Sequence, residues 1–307
     1  MYRFVSGKPS VKYLVQPLSL YNTEAHRLLQ SSSQWYSFHI LNTTTKKTAA
    51  SFYVHLIDGL GTSPYKAPFG GIELHQSVKR KTVLDFIAYV EAKLKKIKTQ
   101  RVVVKLPSRL VDETSLAEQG MLASGFQIEK SETASIIQVK NQFALGLHYS
   151  EKKRLNKSLR SGFVVQAIPI TEIKKVYQFI HDCRLTKNFD LSMEWSAMQK
   201  LVKQFPSEIL LFSVQHGKEM AAASICVRVN EQMIYDFYHD HSPKYNLYSP
   251  VVLLVKGIYD YCLENKISRI ELGTSMIGDQ VNAGLHKFKL RLGATAAVKN
   301  TLVKILS

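Results

Sequence analysis

The sequence predicts an α/β protein with mixed (α+β) sheets, arranged as two similar domains in tandem. Apolar and β-branched runs of strand length alternate with amphipathic helical segments along all 307 residues. Each half repeats one order: strands, a Ser-Pro loop, a long helix, a buried strand, a helix ending in glycine and a last strand. Val103 lies 167 residues before Ile270, and Gly125 lies 168 residues before Gly293. We therefore predict domains over residues 1–145 and 146–307.

The elements of the first half follow from periodicity and turn residues. A long amphipathic helix is predicted at 78–98, because apolar side chains recur at spacings of three and four: Val83, Phe86, Ile87, Val90 and Leu94. Aromatic and β-branched runs joined by a polar turn predict a hairpin over 35–57. The other predicted elements are helices at 22–30 and 114–125, a Gly- and Pro-rich loop at 58–71, and strands at 101–106 and 134–140.

The second half opens with a predicted basic helix at 149–162, which Ser150 caps and Gly162 ends. Three β-rich runs between 208 and 239 have short polar turns between them and predict a meander. The remaining predicted elements are a strand at 163–168, a helical stretch at 171–204, helices at 251–265 and 282–293, and strands at 267–272 and 296–306.

Composition and charge narrow the class of protein. The chain is 45% hydrophobic and 21% charged, as soluble globular proteins are. It contains no apolar run of membrane-spanning length, and its first ten residues lack the apolar stretch of a signal peptide, so we expect a cytoplasmic protein. The three cysteines are far apart, which predicts neither a disulfide nor a metal site.

The net charge of +17, from 41 basic and 24 acidic residues, is spread over both halves. Such a field attracts phosphates, which include nucleic acid, nucleotide-linked substrates and an anionic membrane surface.

The order of elements resembles the fold of the GCN5-related N-acetyltransferases, and two such domains in tandem resemble the FemAB family. Three stretches carry the resemblance: "SPYKAPFGG" (63–71), "SEKKRLNKSLRSGF" (150–163) and "GLHKFKLRLGA" (284–294). FemAB proteins are aminoacyl-tRNA-dependent transferases that add amino acids to peptidoglycan precursors, and they have acyltransferase relatives. The resemblance covers nearly the whole chain and implies transfer of an acyl group to an amine.

Two departures from the family pattern bear on the donor. Acetyltransferases of this fold hold the coenzyme A pyrophosphate with a Gly-rich turn that opens the central helix, whereas the matching segment "HSPKYNLYSPVVLL" has no glycine before the helix. Ser249 is the cofactor-binding candidate that the resemblance implies here, and we expect acetyl-CoA to bind poorly. The chain also lacks the coiled-coil insertion with which some FemAB proteins bind tRNA, so it matches the shorter members.

Lys289 is the first catalytic candidate. Amide formation needs a neutral amine, a positioned carbonyl and donors for the developing oxyanion. Leu285, Phe288 and Leu292 predict the buried stripe of the helix, and Lys289 borders this stripe. Its ammonium is therefore predicted to reach the carbonyl or a phosphate of the donor.

The stretch "YDFYHDHS" (235–242) supplies the next candidates. Strand alternation places Asp236, Tyr238 and Asp240 on one face, and Tyr235, Phe237 and His239 on the other. His239 or Asp240 is predicted to take the proton of the amine, and Tyr238 to contact substrate.

Two further regions are predicted to bind substrate. The prolines and glycines of 63–71 fix a rigid loop, and its substrate-contact candidates are Tyr65, Lys66, Phe69 and Gly70. Arg154 and Lys157 lie three residues apart on the basic helix and therefore on one of its faces. This face is predicted either to clamp a phosphate or to be a solvated surface.

These features predict an N-acyl or aminoacyl transferase that forms an amide on an amine acceptor, with a cell-wall or envelope precursor as the acceptor that the resemblance implies. The alternatives are an acyl-CoA-dependent N-acyltransferase acting on a sugar, peptide or lipid amine, and an RNA- or envelope-binding module with a decayed donor site. We expect acyl-CoA or aminoacyl-tRNA as co-substrate and no tightly bound cofactor or metal. The expected partners are a phosphate-bearing donor or acceptor, with tRNA and peripheral membrane contact left open.

Overall fold

The computed structural model describes residues 1–13 and 15–306. The chain forms two compact units, one made of Met1–Glu132 with Val298–Ser307 and the other of Thr133–Ala297. Both units combine helices with strands that pair in parallel and antiparallel, so the predicted α/β class is confirmed. No helix among the described residues is long and apolar enough to span a bilayer.

The chain up to the first crossing between the units contains these elements. The strands are β1 (Tyr2–Ser6), β2 (Trp35–Asn42), β3 (Lys47–Ile57), β4 (Leu60–Ser63), β5 (Glu73–Leu74), β6 (Arg101–Lys105), β7 (Arg109–Leu110) and β8 (Gln127–Gln138). The α-helices are α1 (Glu24–Gln30), α2 (Arg80–Lys96) and α3 (Leu116–Ala123).

The rest of the chain contains these elements. The strands are β9 (Phe163–Ile168), β10 (Ile209–His216), β11 (Glu219–Asn230), β12 (Met233–His241), β13 (Arg269–Thr274), β14 (Met276–Ile277), β15 (Gln280–Val281) and β16 (Thr295–Ile305). The α-helices are α4 (Phe143–Gly146), α5 (Tyr149–Arg160), α6 (Ile173–Leu185), α7 (Trp195–Gln204), α8 (Pro250–Glu264) and α9 (Ala283–Arg291).

The first unit is organised around one parallel strand pair. Its strands follow the order β1-β2-β3-β4-β6-β16, with β4 and β6 parallel and the other neighbours antiparallel. Helix α2 connects β4 to β6, and its predicted apolar side chains are all buried: Val83, Phe86, Ile87, Val90 and Leu94. Burial of this stripe is what holds α2 on the sheet.

The second unit repeats this arrangement. Its strands follow the order β9-β10-β11-β12-β13-β8, and β12 and β13 form the parallel pair. Helix α8 connects them and buries an almost continuous apolar surface that includes Val252, Leu254 and Ile258. Both units therefore contain a parallel pair joined by a long helix, and this helix is the long helix of the repeated order predicted from the sequence.

The structure divides the chain differently from the predicted boundaries of 1–145 and 146–307. Strand β16, predicted to end the second domain, pairs through Thr301–Ile305 with β6 of the first unit. Residues 134–138 of β8, predicted to end the first domain, pair with β13 of the second unit. The reason is burial, because Leu302 belongs to the apolar core of the first unit and Ile137 to that of the second.

A glycine contact in the second unit tests the packing of α8. A Cβ added at Gly257 would lie 2.3 Å from Val165 Cγ2, whereas one at Gly284 in α9 would meet only Asn282 Oδ1 at 3.5 Å. We expect Gly257→Ala to destabilise the protein by about 1–3 kcal/mol through overpacking. Gly284→Ala, the matched helical control, should be neutral or stabilising. Urea unfolding measures both, and equal stability of the two variants would contradict this packing.

Candidate active site

The parallel pair of the second unit stops before its strands end. β12 and β13 pair only as far as Tyr235 and Glu271, and β12 then continues to His241. Gly273 takes a left-handed φ of +69°, and the register of β13 against β8 shifts between Glu271 and Thr274. Polar side chains collect where this pairing ends.

A β-bulge in β12 brings Asp236 and His239 together. Ser224 lies opposite His239 and Cys226 opposite Asp236, so β12 has one residue more than β11 between these pairs. The extra residue reverses the alternation of faces. The prediction that Asp236 and His239 lie on opposite faces is therefore wrong.

Asp236 is a buried carboxylate with both oxygens engaged. Its Oδ1 accepts a hydrogen bond from Ser224 Oγ at 2.7 Å, and its Oδ2 lies 2.7 Å from His239 Nδ1. Burial alone would raise the pKa of Asp236, but the charge of His239 and the hydrogen bonds from His239 and Ser224 outweigh it and lower that pKa. The carboxylate is therefore ionised at neutral pH.

His239 is the accessible member of this pair. Its side chain is 25% exposed, whereas that of Asp236 is fully buried. A carboxylate can only accept hydrogen bonds, so Nδ1 of His239 is the donor. In the neutral ring Nε2 then carries the lone pair. The structure thus brings together one predicted residue, His239, and one that was not selected as a site residue, Asp236.

Lys289 lies buried at the end of the same strand pair. Its residue is 4% exposed, and its Nζ donates to Gly273 O at 3.0 Å and to Thr274 O at 2.9 Å. Burial lowers the pKa of Lys289 to about 8, although the negative charges of Asp236 and Glu271 work against this shift. The Lys289 ammonium thus loses its proton more readily than that of an ordinary lysine, and it interacts electrostatically with the Asp236 carboxylate.

The burial of α9 differs from the predicted stripe. Lys289 is its most buried side chain, while Phe288 is half-buried against the apolar core. The lysine is not at the border of an apolar face, because two backbone carbonyls and two carboxylates accommodate its charge inside the unit.

Asp240 and Tyr238 make structural contacts. Asp240 forms an ion pair with Lys187 and accepts a hydrogen bond from His241 N at 2.7 Å. The Tyr238 hydroxyl bonds Ser192 Oγ at 2.6 Å and accepts from Met193 N at 2.9 Å. Both side chains bind the segment that follows α6 to strand β12, and their contacts do not include Asp236 or His239.

The loop 63–71 is tied to the first unit by its own contacts. The amides of Tyr65 and Lys66 both donate to Gln30 Oε1, and the Tyr65 ring stacks on His55 at 4.1 Å. Phe69 is buried, and a Cβ on Gly70 would lie 2.8 Å from Pro64 N. Phe69 and Gly70 therefore shape the loop, and the ring of Tyr65 and the side chain of Lys66 are its more accessible parts.

The basic helix α5 and the start of α8 show a similar pattern. Arg154 Nη1 donates to both oxygens of the buried Glu151 at 3.0 Å, and Lys157 Nζ donates to Leu247 O at 2.9 Å. Ser249 takes a left-handed φ of +50° at the cap of α8, with no hydrogen bond from its side chain to the helix. The predicted clamp of Arg154 and Lys157 thus consists of side chains already bound within the unit.

A cavity of about 530 Å³ lies within the first unit, between the polar face of β2 and β3, helix α1 and the N-terminal segment. Arg27 of α1 lies over the Tyr53 ring, with 3.9 Å between Cζ and the ring centroid, and donates to Asn22 O. Burial lowers the pKa of Arg27, but a guanidinium stays charged at neutral pH. The cavity therefore contains a fixed cation.

Two histidines share one hydroxyl beside this cation. His39 Nδ1 lies 3.0 Å and His75 Nε2 lies 3.1 Å from Ser51 Oγ. Burial lowers the pKa of both histidines, that of His39 to about 4, so both are neutral at pH 7. Among the described residues His75 Nδ1 is buried without a partner, which suits an acceptor better than an N–H. His39 and Ser51 both line the cavity.

The sequence contained a signal for this cavity. Polar side chains alternate with apolar ones on both strands of the hairpin, and Ser37, His39, Ser51 and Tyr53 form one face. His39, Ser51 and Tyr53 are nonetheless buried. A polar strand face that is buried indicates a lined cavity rather than a solvated surface.

Because Lys289 is buried, the free energy of unfolding of the protein should vary with pH in the alkaline range. Its pKa is about 8 in the folded state against an ordinary 10.5, so between these values the unfolded chain binds more protons and stability rises with pH. In Lys289→Met this rise disappears. Between pH 7.5 and 10.5 the free energy of unfolding of the wild type should therefore rise by up to about 3 kcal/mol relative to that of the variant. Urea unfolding across this range measures the difference. If the stability of the wild type rose by the same amount relative to the exposed control Lys287→Met, the lowered pKa of Lys289 would be contradicted.

No protein-family model and no curated protein sequence matches the chain. Solved structures do. The crystal structure of FemX is 12% identical, with a TM-score of 0.70, and the match covers 94% of this chain and 92% of that one. A tandem GNAT protein from the clavulanic acid biosynthesis pathway is 9% identical, with a TM-score of 0.52 over 97% and 86%. L-PGS from Bacillus licheniformis is 10% identical, with a TM-score of 0.52 over 84% and 82%. The chain has the FemAB-like fold of tandem GCN5-related N-acetyltransferase domains.

Proposed function

We propose that the protein is an N-acyl or aminoacyl transferase that forms an amide on an amine acceptor, with its chemistry in the second unit. The observation that carries the proposal is the imidazole of His239, whose Nδ1 lies 2.7 Å from Oδ2 of Asp236, a carboxylate that also interacts electrostatically with the buried Lys289. Similarity to FemX and to L-PGS supports a transferase of this kind.

In this mechanism His239 acts as the base. The amine of the acceptor gives a proton to Nε2 of His239 and attacks the carbonyl carbon of the donor, forming the C–N bond. The tetrahedral oxyanion collapses, the bond from carbon to the donor's oxygen or sulfur breaks, and the leaving group takes the proton from His239. The buried positive charge of Lys289 favours the negative charge that develops during attack.

We propose aminoacyl-tRNA rather than acyl-CoA as the donor. The start of α8, where the resemblance places a pyrophosphate grip, begins with Pro250, which has no N–H. The amide of Val252 donates to Ser249 O at 3.0 Å, so it is already engaged. These contacts leave fewer backbone donors for a pyrophosphate. The net charge of +17 suits a polyanionic donor.

The cavity of the first unit adds a proposed binding role. Arg27 supplies a cation, and the polar side chains of His39 and Ser51 line the same cavity. We propose that this cavity binds an anionic part of a substrate, such as the phosphate of an envelope precursor.

Loss of the base should abolish most transfer. We expect His239→Ala to lower kcat by roughly 10²- to 10⁴-fold, the scale of one general base, with KM little changed. Labelled aminoacyl-tRNAs and acetyl-CoA serve as donors in parallel assays, with peptidoglycan precursors as acceptors. His181→Ala, in α6 and outside the cluster, is the control. Full activity of His239→Ala would refute the mechanism, and transfer from acetyl-CoA alone would favour the acyl-CoA-dependent alternative.

The cavity is tested separately through its cation. Arg27→Gln should raise the Kd for a UDP-linked sugar about 10-fold or more, because a hydrogen bond to a charged group contributes roughly 1.5–3 kcal/mol. Isothermal titration measures the Kd, and circular dichroism confirms the fold. Arg80→Gln, at an exposed position of α2, should bind as the wild type does. Unchanged affinity of Arg27→Gln would remove the cavity from the proposal.

A further inference from the structure

Asp236 is a buried charge that the reaction itself does not consume. Its side chain is fully buried inside the second unit, where Ser224 Oγ donates to Oδ1 at 2.7 Å and His239 Nδ1 lies 2.7 Å from Oδ2. The thiol of Cys226 lies 3.9 Å from Oδ1. An ionised carboxylate buried this way costs free energy, so its presence calls for a physical role.

The contacts determine what each oxygen can do. Ser224 Oγ–H donates to Oδ1, which leaves Oδ2 facing the imidazole. Because the carboxylate is an acceptor only, the ring must place a proton on Nδ1. The β-bulge makes this contact available, since Asp236 and His239 would otherwise lie on opposite faces of β12.

We propose that Asp236 is a positioning residue that locks His239 in the tautomer with the proton on Nδ1 and the lone pair on Nε2. The inference rests on the proposed role of His239 as the base. It also predicts which kind of substrate atom can hydrogen-bond the ring, because a lone pair on Nε2 accepts a hydrogen bond. The substrate atom at His239 is therefore a donor, as an amine nitrogen is, and not a carboxylate or phosphate oxygen.

Ser224 makes the inference testable with one isosteric change. In Asp236→Asn the Ser224 hydroxyl still donates to the side-chain oxygen, which turns the amide nitrogen toward His239. That nitrogen donates to Nδ1, so the imidazole proton moves to Nε2 and the lone pair no longer faces the substrate. The substitution changes the tautomer while leaving shape and volume almost unchanged.

The experiment records ¹⁵N chemical shifts of the histidine rings in the full-length protein labelled with ¹⁵N-histidine, with His239→Gln used to assign the signals. Wild-type His239 should have Nδ1 protonated, and Asp236→Asn should have Nε2 protonated. The kcat of Asp236→Asn should fall roughly 10²- to 10⁴-fold with KM within about threefold of wild type. Asp260→Asn, in α8 and paired with Lys256, is the control and should change neither reading.

A proton on Nε2 in the wild type, or an unchanged tautomer in Asp236→Asn, would overturn the inference. If Asp236→Asn does not fold, the wild-type spectrum still decides which nitrogen carries the proton, and Ser224→Ala supplies the second variant, with a weaker preference for Nδ1. Full activity of His239→Ala alongside the predicted tautomers would instead refute the proposed base and leave the positioning contact standing.

Discussion

The buried carboxylate of Asp236 is the interaction on which the candidate site depends. A desolvated charge is tolerated only where partners satisfy it, and here these are Ser224, the His239 ring and the nearby charge of Lys289. Removing one partner leaves the others with an uncompensated charge. The orientation of His239 therefore depends on this buried anion, and the positive charge of Lys289 helps to keep the anion ionised.

The two units use the end of the parallel strand pair in different ways. In the first unit the amide of Gly70 donates to Lys105 O at the end of β6, so the loop 63–71 satisfies that strand with backbone. In the second unit the ammonium of Lys289 donates to Gly273 O and Thr274 O at the end of β13. One repeated fold thus has a rigid loop at this place in one copy and a charged side chain in the other. The proposed chemistry belongs to the copy with the charge.

Local patterns in the sequence predicted most of the secondary structure. The apolar spacing in α2 identified all five of its buried side chains, because helical periodicity depends only on residues within a few turns. The repeated order of strands and helices predicted two similar domains in tandem, and the structure adds that each unit contains one parallel strand pair joined by a long helix. His239 and Lys289 could be selected from residue type and position, since few side chains can move a proton or stabilise an oxyanion.

By itself, then, the sequence determined the α/β class, the two-fold repeat and the candidate residues at the end of one strand. Only the tertiary structure decided the partners. The end of β8 pairs in the second unit and the end of β16 pairs in the first, because each strand buries its apolar side chains in that core. The single extra residue in β12 is defined only by the register of this strand against β11. That register turned Asp236 toward His239, and Lys289 became buried because carbonyls and carboxylates distant in sequence surround it. Strand pairing and the desolvation of charged side chains depend on residues distant in sequence, so they cannot be predicted from residue spacing along the chain.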